Sequence, residues 1–206
     1  MSVMSQEYFD HLAADFDTPA RSQRAALIAE ELAGHLVLGP GRRVLDFGCG
    51  TGLISFHLEP WGGTVTMFDS SPGMIDVARK KIAAAGTSTM MATGEEAWGP
   101  GEFDSLFTSM VLHHVVDLPP LLEKFHRWTS LGGRLAIVDL NPDDGSFHAD
   151  EPGFTGHHGF DPGALSRLAQ ATGYTPVHQD TFFHSTRMAG GKEVAYSLFV
   201  LVLEKR

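Results

Sequence analysis

Apolar and polar positions along the chain switch repeatedly between a helical and an extended period. Phe9, Leu12 and Phe16 share one face of a helix expected over Tyr8 to Phe16. Thr18-Pro19 restarts the chain as N-cap and first helical residue, and Ala25 to Leu38 keeps helical spacing until Gly39-Pro40-Gly41. Strands are then expected at Arg43 to Phe47, Gly63 to Phe68, Thr87 to Ala92, Phe103 to Met110 and Arg134 to Asp139. Between them stand helices at about Leu53 to Leu58, from Ser71-Pro72 to Gly86, and at Leu118 to Trp128, with Gly132-Gly133 breaking the chain before the fifth strand. A helix opened by Asp161-Pro162 and ending near Gly173 leads to two closing strands, Tyr174 to His184 and Glu193 to Glu204.

Strands alternating with helices imply a mostly parallel sheet covered on both faces. The last two strands are separated only by a short region around Gly190-Gly191. Parallel neighbours need a long crossover, so this pair is antiparallel. The fold class is therefore α/β, Rossmann-like, with seven strands and a C-terminal antiparallel hairpin. No repeat or low-complexity tract divides the 206 residues. One domain is expected over 1–206, with a helical cap at 1–38 and the core at 43–206.

Composition narrows the classes. The hydrophobic fraction of 43% and charged fraction of 19% suit a soluble globular chain. No apolar run approaches the roughly 18 residues of a membrane span, and Met1 to Asp10 lacks the features of a signal peptide. Cys49 has no second cysteine to pair with, which favours a reducing, cytoplasmic setting. A net charge of −10 disfavours nucleic acid as a partner. Arg79-Lys80-Lys81, a local basic cluster, reads as a solvated helix face. Nothing here sets an oligomeric state.

Ligands of open α/β sheets bind beyond the carboxyl ends of the strands. The first strand ends in Asp46-Phe47-Gly48-Cys49-Gly50-Thr51-Gly52, where glycines let a ligand approach the backbone. The second ends in Phe68-Asp69, an acid placed to accept from ribose hydroxyls. A dehydrogenase could share both features, so charge decides between cofactors. NAD or FAD would set a pyrophosphate against the loop that Asp46 precedes. S-adenosylmethionine instead carries a sulfonium and an ammonium, which a carboxylate attracts.

These segments resemble class I S-adenosylmethionine-dependent methyltransferases, in particular the ubiquinone-biosynthesis-like (type 11) group. Asp46 to Gly52 looks like motif I, and Asp69-Ser70-Ser71-Pro72-Gly73-Met74 resembles the second-strand acid with its Ser-Pro-x-Met. Gly94-Glu95-Glu96-Ala97 is similar to the third-strand loop that meets adenine, with Glu95-Glu96 standing where Asp-Ala is usual. Phe103-Asp104 through Ser109-Met110-Val111-Leu112-His113-His114 resembles the fourth-strand motif, and Leu131 to Leu135 the entry to the fifth strand. The resemblance spans Arg43 to Asp139. It implies S-adenosylmethionine as cofactor, contacted by Asp46, Gly48, Cys49, Gly50, Asp69, Ser70, Met74, Glu95, Glu96 and Ser109, with Phe9 and Phe16 from the cap. Cys49 is expected to serve through its backbone alone.

The implied activity is methyl transfer to a small-molecule acceptor by in-line displacement. A non-catalytic S-adenosylmethionine sensor or partner subunit and a nucleotide-dependent oxidoreductase are the alternatives. If the acceptor must lose a proton, His113 and His114 are the candidate bases. Eleven histidines raise the question of a metal. Adjacent His157-His158 is poor ligand spacing, no cysteine pair is present, and no metal is expected. The segment from Asn141 to Phe160 holds His148, Phe147, Phe154 and Phe160 among the breakers Pro142, Gly145, Pro152, Gly153, Gly156 and Gly159. It leaves the strand edge where the cofactor sits, and with the N-terminal helix is expected to close the site and select the acceptor.

Overall fold

A computed structural model describes residues 3–151 and 153–206, with side chains from residue 7 onward. Met1, Ser2 and Pro152, the last one of the loop breakers named above, lie outside the described residues. In chain order the elements are α1 (Val3–Leu12), α2 (Pro19–Ala33), β1 (Arg43–Phe47), α3 (Leu53–Leu58), β2 (Thr64–Phe68), α4 (Pro72–Ala85) and β3 (Met90–Thr93). They continue with β4 (Phe103–Ser109), α5 (Leu118–Trp128), β5 (Thr129–Leu140), α6 (Pro162–Ala171), β6 (Tyr174–Ala189) and β7 (Lys192–Lys205). The sheet has seven strands in the order β3-β2-β1-β4-β5-β7-β6. Only β7 runs against its neighbours, pairing antiparallel with both β5 and β6.

Period-two burial splits the core between the faces of this sheet. On one face Ile28 and Leu32 of α2 and Ile75 and Ala78 of α4 pack with Val44, Phe107, Val138 and Val200. On the other, Leu118, Leu122 and Phe125 of α5 and Leu165 and Ala169 of α6 pack with Leu45, Leu106, Ile137 and Leu201. The α5 residues fall at i, i+4 and i+7, which puts them on one side of that helix. No helix among the described residues is long and apolar enough to cross a membrane.

Several boundaries differ from the sequence expectation. The first helix ends at Leu12, and Ala13 to Asp15 form a tighter 3₁₀ turn. Gly132-Gly133 do not delay the fifth strand. β5 begins at Thr129 and accommodates the pair as an irregularity, since Phe103 pairs with Thr129 but Ser105 with Arg134. The weak third strand starts at Met90 rather than Thr87. β6 continues five residues past His184 to Ala189 because β7 offers a partner that long. Gly190 and Gly191, at φ 57° and 71°, supply the two left-handed residues that a tight hairpin turn requires.

Candidate active site

The carboxyl ends of β1, β2 and β4 meet beneath α1 and the start of α2, and a cavity opens between them. Its wall includes Asp46, Gly48, Cys49 and Gly50 from the β1 loop, Asp69 after β2, and Met74 on α4. Ser109, Met110, Val111 and His114 follow from the end of β4, with Phe9, Phe16, Arg21 and Arg24 above. Gly48 has φ +80°, and a Cβ there would overlap the Val111 side chain. The glycine therefore answers to backbone conformation and to close packing together.

Two buried acids dominate the cavity. Asp69 accepts the Gly50 N–H at 2.8 Å on Oδ2 and the Ser71 N–H at 2.9 Å on Oδ1, tying the β1 loop to the start of α4. An ionised carboxylate has about four acceptor sites, so capacity remains for a ribose hydroxyl. Asp46 accepts the Ser55 hydroxyl at 2.7 Å. Burial raises the Asp46 pKa to about 7, against the lowering effect of Ser55, and Asp69 adds to the rise. Burial also raises Asp69, while its backbone donors oppose the shift. Among the described residues neither acid has a basic ion-pair partner. A pyrophosphate set against these carboxylates would be repelled, whereas a sulfonium and an ammonium supply the missing positive charge. The residues fit S-adenosylmethionine. Ser109 adds a buried hydroxyl with no protein hydrogen-bond partner at the same wall.

This charge balance has a measurable consequence. In the unliganded protein Asp46 is partly protonated near pH 7, and a bound cation lowers its pKa. Calorimetry in buffers of differing ionisation enthalpy should show net proton release when S-adenosylmethionine binds at pH 7, vanishing by about pH 9. Binding without proton release at pH 7 would place the positive charge away from Asp46. The same shift sets the stability of the unliganded protein. A carboxyl whose folded pKa lies above its unfolded value stabilises the fold at low pH. That contribution is lost as pH rises from about 4 through 7.

Not every expected contact reaches the cavity. Glu95 and Glu96 are exposed and do not line it, and Glu96 pairs with Lys124 at 2.6 Å on the surface. Replacing the usual Asp-Ala by two longer acids thus leaves both side chains in solvent. Ser70 sits between Asp69 and Ser71 without lining the wall. Met74 is buried in the wall itself. Burial, with Asp46 and Asp69 close by, pushes the Cys49 thiol well above its ordinary pKa, which leaves it unreactive.

The N-terminal segment is pinned over this cavity. The Asp10 carboxylate accepts from the Ser71 hydroxyl and from the Gly73 N–H, the latter at 2.9 Å, at the start of α4. Asp17 accepts from the Thr51 hydroxyl and pairs with Lys81 at 2.9 Å. Phe9 then stands edge-on to His114, their ring centroids 5.3 Å apart.

A second cavity of about 540 Å³ adjoins the first. Phe9, Phe16, Arg21, Arg24, Met110 and His114 border both. Met110 turns the chain between β4 and the two histidines with φ 59°, a left-handed conformation unusual outside glycine. The far wall comes from the 141–160 segment and from β6, with Phe147, His148, Glu151 and Arg187. Arg21 stacks on Phe16, Arg24 donates to the Tyr196 hydroxyl, and Arg187 stacks on Phe147. None of these three guanidinium groups has a carboxylate within ion-pair distance among the described residues.

His113 is buried, and its Nδ1 lies 2.6 Å from Oδ1 of the buried Asp139 at the end of β5. His148 is buried against Phe154, their rings parallel at 3.7 Å, and neither of its ring nitrogens has a protein hydrogen-bond partner. His113, His114 and His148 each present a ring nitrogen within 4.8 Å of the others. Burial first, and the neighbouring imidazoles second, hold His114 and His148 far below the usual histidine pKa, so both are neutral at pH 7. The sequence placed His148 in this loop region without joining it to the other two. His157, by contrast, faces the Val115 carbonyl, and His158 is exposed.

A sheet ordered 3-2-1-4-5-7-6 with a glycine loop and two acids at its cation-accepting edge defines a class I, Rossmann-like S-adenosylmethionine-binding domain. A family model for the methyltransferase domain matches residues 20–179. A malonyl-[acyl-carrier protein] O-methyltransferase of Serratia marcescens is 36% identical over 133 residues, covering 64% of this chain and 51% of that protein. An uncharacterised methyltransferase of Schizosaccharomyces pombe is 33% identical over 147 residues, covering 62% and 51% respectively. The chain thus spans about half the length of these curated relatives. The crystal structure of an S-adenosylmethionine-dependent methyltransferase from Aquifex aeolicus shares the fold with a TM-score of 0.70 at 17% identity, over 94% of this chain and 97% of that one. The chain belongs to the methyltransferase-domain family, and its cofactor is S-adenosylmethionine.

Proposed function

We propose that the protein transfers a methyl group from S-adenosylmethionine to a small anionic acceptor held in the second cavity. The observation that carries this reading is the shared border, where His114, Met110 and the cap residues wall both spaces. When bound, the cofactor supplies an electrophilic methyl group on a sulfonium. Asp46, Asp69 and the glycine loop hold its charged and ribose portions. The cap excludes water, and the common border lets an acceptor atom approach in line, where placement alone supplies much of the acceleration.

Arg21, Arg24 and Arg187 select the acceptor. Three guanidinium groups free of carboxylate partners, against the single wall acid Glu151, favour a ligand bearing a carboxylate or phosphate. Where the acceptor must also lose a proton, His114 is a poor receiver because its pKa is so low. His113, oriented by Asp139, leaves Nε2 as the basic nitrogen.

The test is formation of S-adenosylhomocysteine across a panel of small acceptors in anionic and neutral, otherwise matched, pairs. Turnover should favour the anionic members, and Arg187→Ala should raise their KM about 10-fold or more with little effect on cofactor affinity. Equal turnover of both members in the wild type would remove the charge selection. Tight cofactor binding without turnover of any acceptor would instead favour a sensor.

A further inference from the structure

From the convergence of His113, His114 and His148 we infer a binding site for a divalent transition-metal ion of the imidazole-preferring kind, in the wall between the two cavities. The inference rests on the methyl-transfer reading only for its use, and not for the site itself. Three ring nitrogens within 4.8 Å of one another need only small movements to meet one ion at the usual metal–nitrogen distance. Three protein ligands also leave a coordination position open.

The surroundings are those of a ligand set. His113 gives its Nδ1–H to Asp139 at 2.6 Å, which fixes the ring and leaves the Nε2 lone pair available. A carboxylate behind a histidine is the usual support of a metal-bound imidazole. Asp139 is itself held in place, accepting the Leu140 N–H at 2.8 Å as well. A general base working alone would need one histidine, and would leave His148 unexplained. That ring is buried, has no protein partner on either nitrogen, and is clamped flat against Phe154. Buried polar atoms in proteins are nearly always paired, and a metal bond would give one of the two His148 ring nitrogens the partner it lacks. The all-nitrogen set favours zinc, cobalt, nickel or iron over magnesium or calcium, which take oxygen ligands.

All three histidines line the acceptor cavity, so the open position faces it. An acceptor oxygen, nitrogen or sulfur bound there stands beside the cofactor cavity that His114 also borders. The ion would lower the pKa of a bound acceptor's proton, which leaves to water through the cavity mouth. In the metal-loaded protein this takes over the part assigned above to His113.

A second group, Glu31, His35 and His178, provides an internal comparison. It lies across α2 and β6, is only partly buried, and Glu31 and His35 already pair with each other at 2.9 Å.

The experiment titrates the chelator-treated full chain with Co(II), read by visible d–d absorption and by metal content after desalting, with S-adenosylhomocysteine binding followed on the same samples. The expected result is one Co(II) per chain with the absorption of a nitrogen-rich four- or five-coordinate ion, displaced by Zn(II). His148→Ala should weaken uptake more than about 100-fold, beyond the loss typical of removing a supporting partner. S-adenosylhomocysteine affinity should stay unchanged, which also reports that the variant is folded. His148→Gln serves as the second variant should the smaller side chain disturb the loop. His178→Ala should leave uptake unchanged. Absence of Co(II) uptake by wild-type protein that binds S-adenosylhomocysteine overturns the metal site and leaves the methyltransferase reading standing. Uptake that survives both His148 variants, or that is lost with His178, overturns it as well. Metal uptake without any S-adenosylhomocysteine binding would count against the cofactor reading and not against the site.

Discussion

Replacing Asp69 with alanine should weaken S-adenosylhomocysteine binding by roughly 10- to 100-fold, and this is the largest effect expected on cofactor affinity from a single side chain. A hydrogen bond to a charged acceptor is worth about 1.5–3 kcal/mol, and each 1.4 kcal/mol is a factor of ten. Asp69 serves twice, since it also holds the Gly50 and Ser71 amides. Asp69→Asn separates the two parts. It preserves shape and one acceptor, but turns an amide NH₂ toward a backbone donor. If ribose contact dominates, the asparagine variant should bind nearly as weakly as the alanine variant. If loop order dominates, asparagine, which keeps one of the two backbone contacts, should recover part of the affinity. Calorimetry with unchanged affinity in both variants would take Asp69 out of the cofactor site.

The second large effect concerns stability. Asp139→Ala should destabilise the protein by about 3–5 kcal/mol, since each buried donor left without its acceptor costs about 1–3 kcal/mol and three of them share this carboxylate. At the sensitivity of a chain this size, about 2–4 °C per kcal/mol, the melting temperature should fall by on the order of 10 °C. The cause is countable. His113 Nδ1 and the amides of His113 and Leu140 all lose their acceptor in a buried place. Asp139→Asn retains an acceptor and should cost clearly less. A melting temperature within a degree or two of wild type for Asp139→Ala would show that the pair adds little.

The sheet was legible because its signals are local. Alternating periods, the proline-led helix starts at Pro19, Pro72 and Pro162 and the glycine stop at Gly86 stand in the sequence, and the short region around Gly190-Gly191 between the last two expected strands forces the antiparallel end. The cofactor loop was legible for the same reason, being one contiguous stretch. The histidine cluster was not, because it depends on loop closure over long separations. Gly156 lets the loop backbone lie against His113, where a Cβ would overlap the His113 carbonyl, and the neighbouring His157 N–H donates to that oxygen at 2.7 Å. One signal was available. β4 and β5 are parallel neighbours with Ser109 opposite Val138, so an acid at 139 and histidines at 113 and 114 leave the same sheet edge together. Arg187 was hidden differently, since the polar run after His184 gives no strand signal until β7 is known to pair with it.

Asp10 and Asp17, the two carboxylates that fasten the cap, have a bearing on the order of events in turnover. The segment they hold carries Phe9, Phe16, Arg21 and Arg24, which border the cofactor space and the acceptor space at once. On the proposed reading, an acceptor seated against the arginines would brace the roof over the cofactor and keep it from lifting until that acceptor or its product had gone. The expected kinetic scheme is then sequential and ordered, with cofactor entering first and its demethylated form leaving last. One fastener, Asp17 with Lys81, is a partly exposed ion pair, so cofactor exchange should quicken as salt screens it.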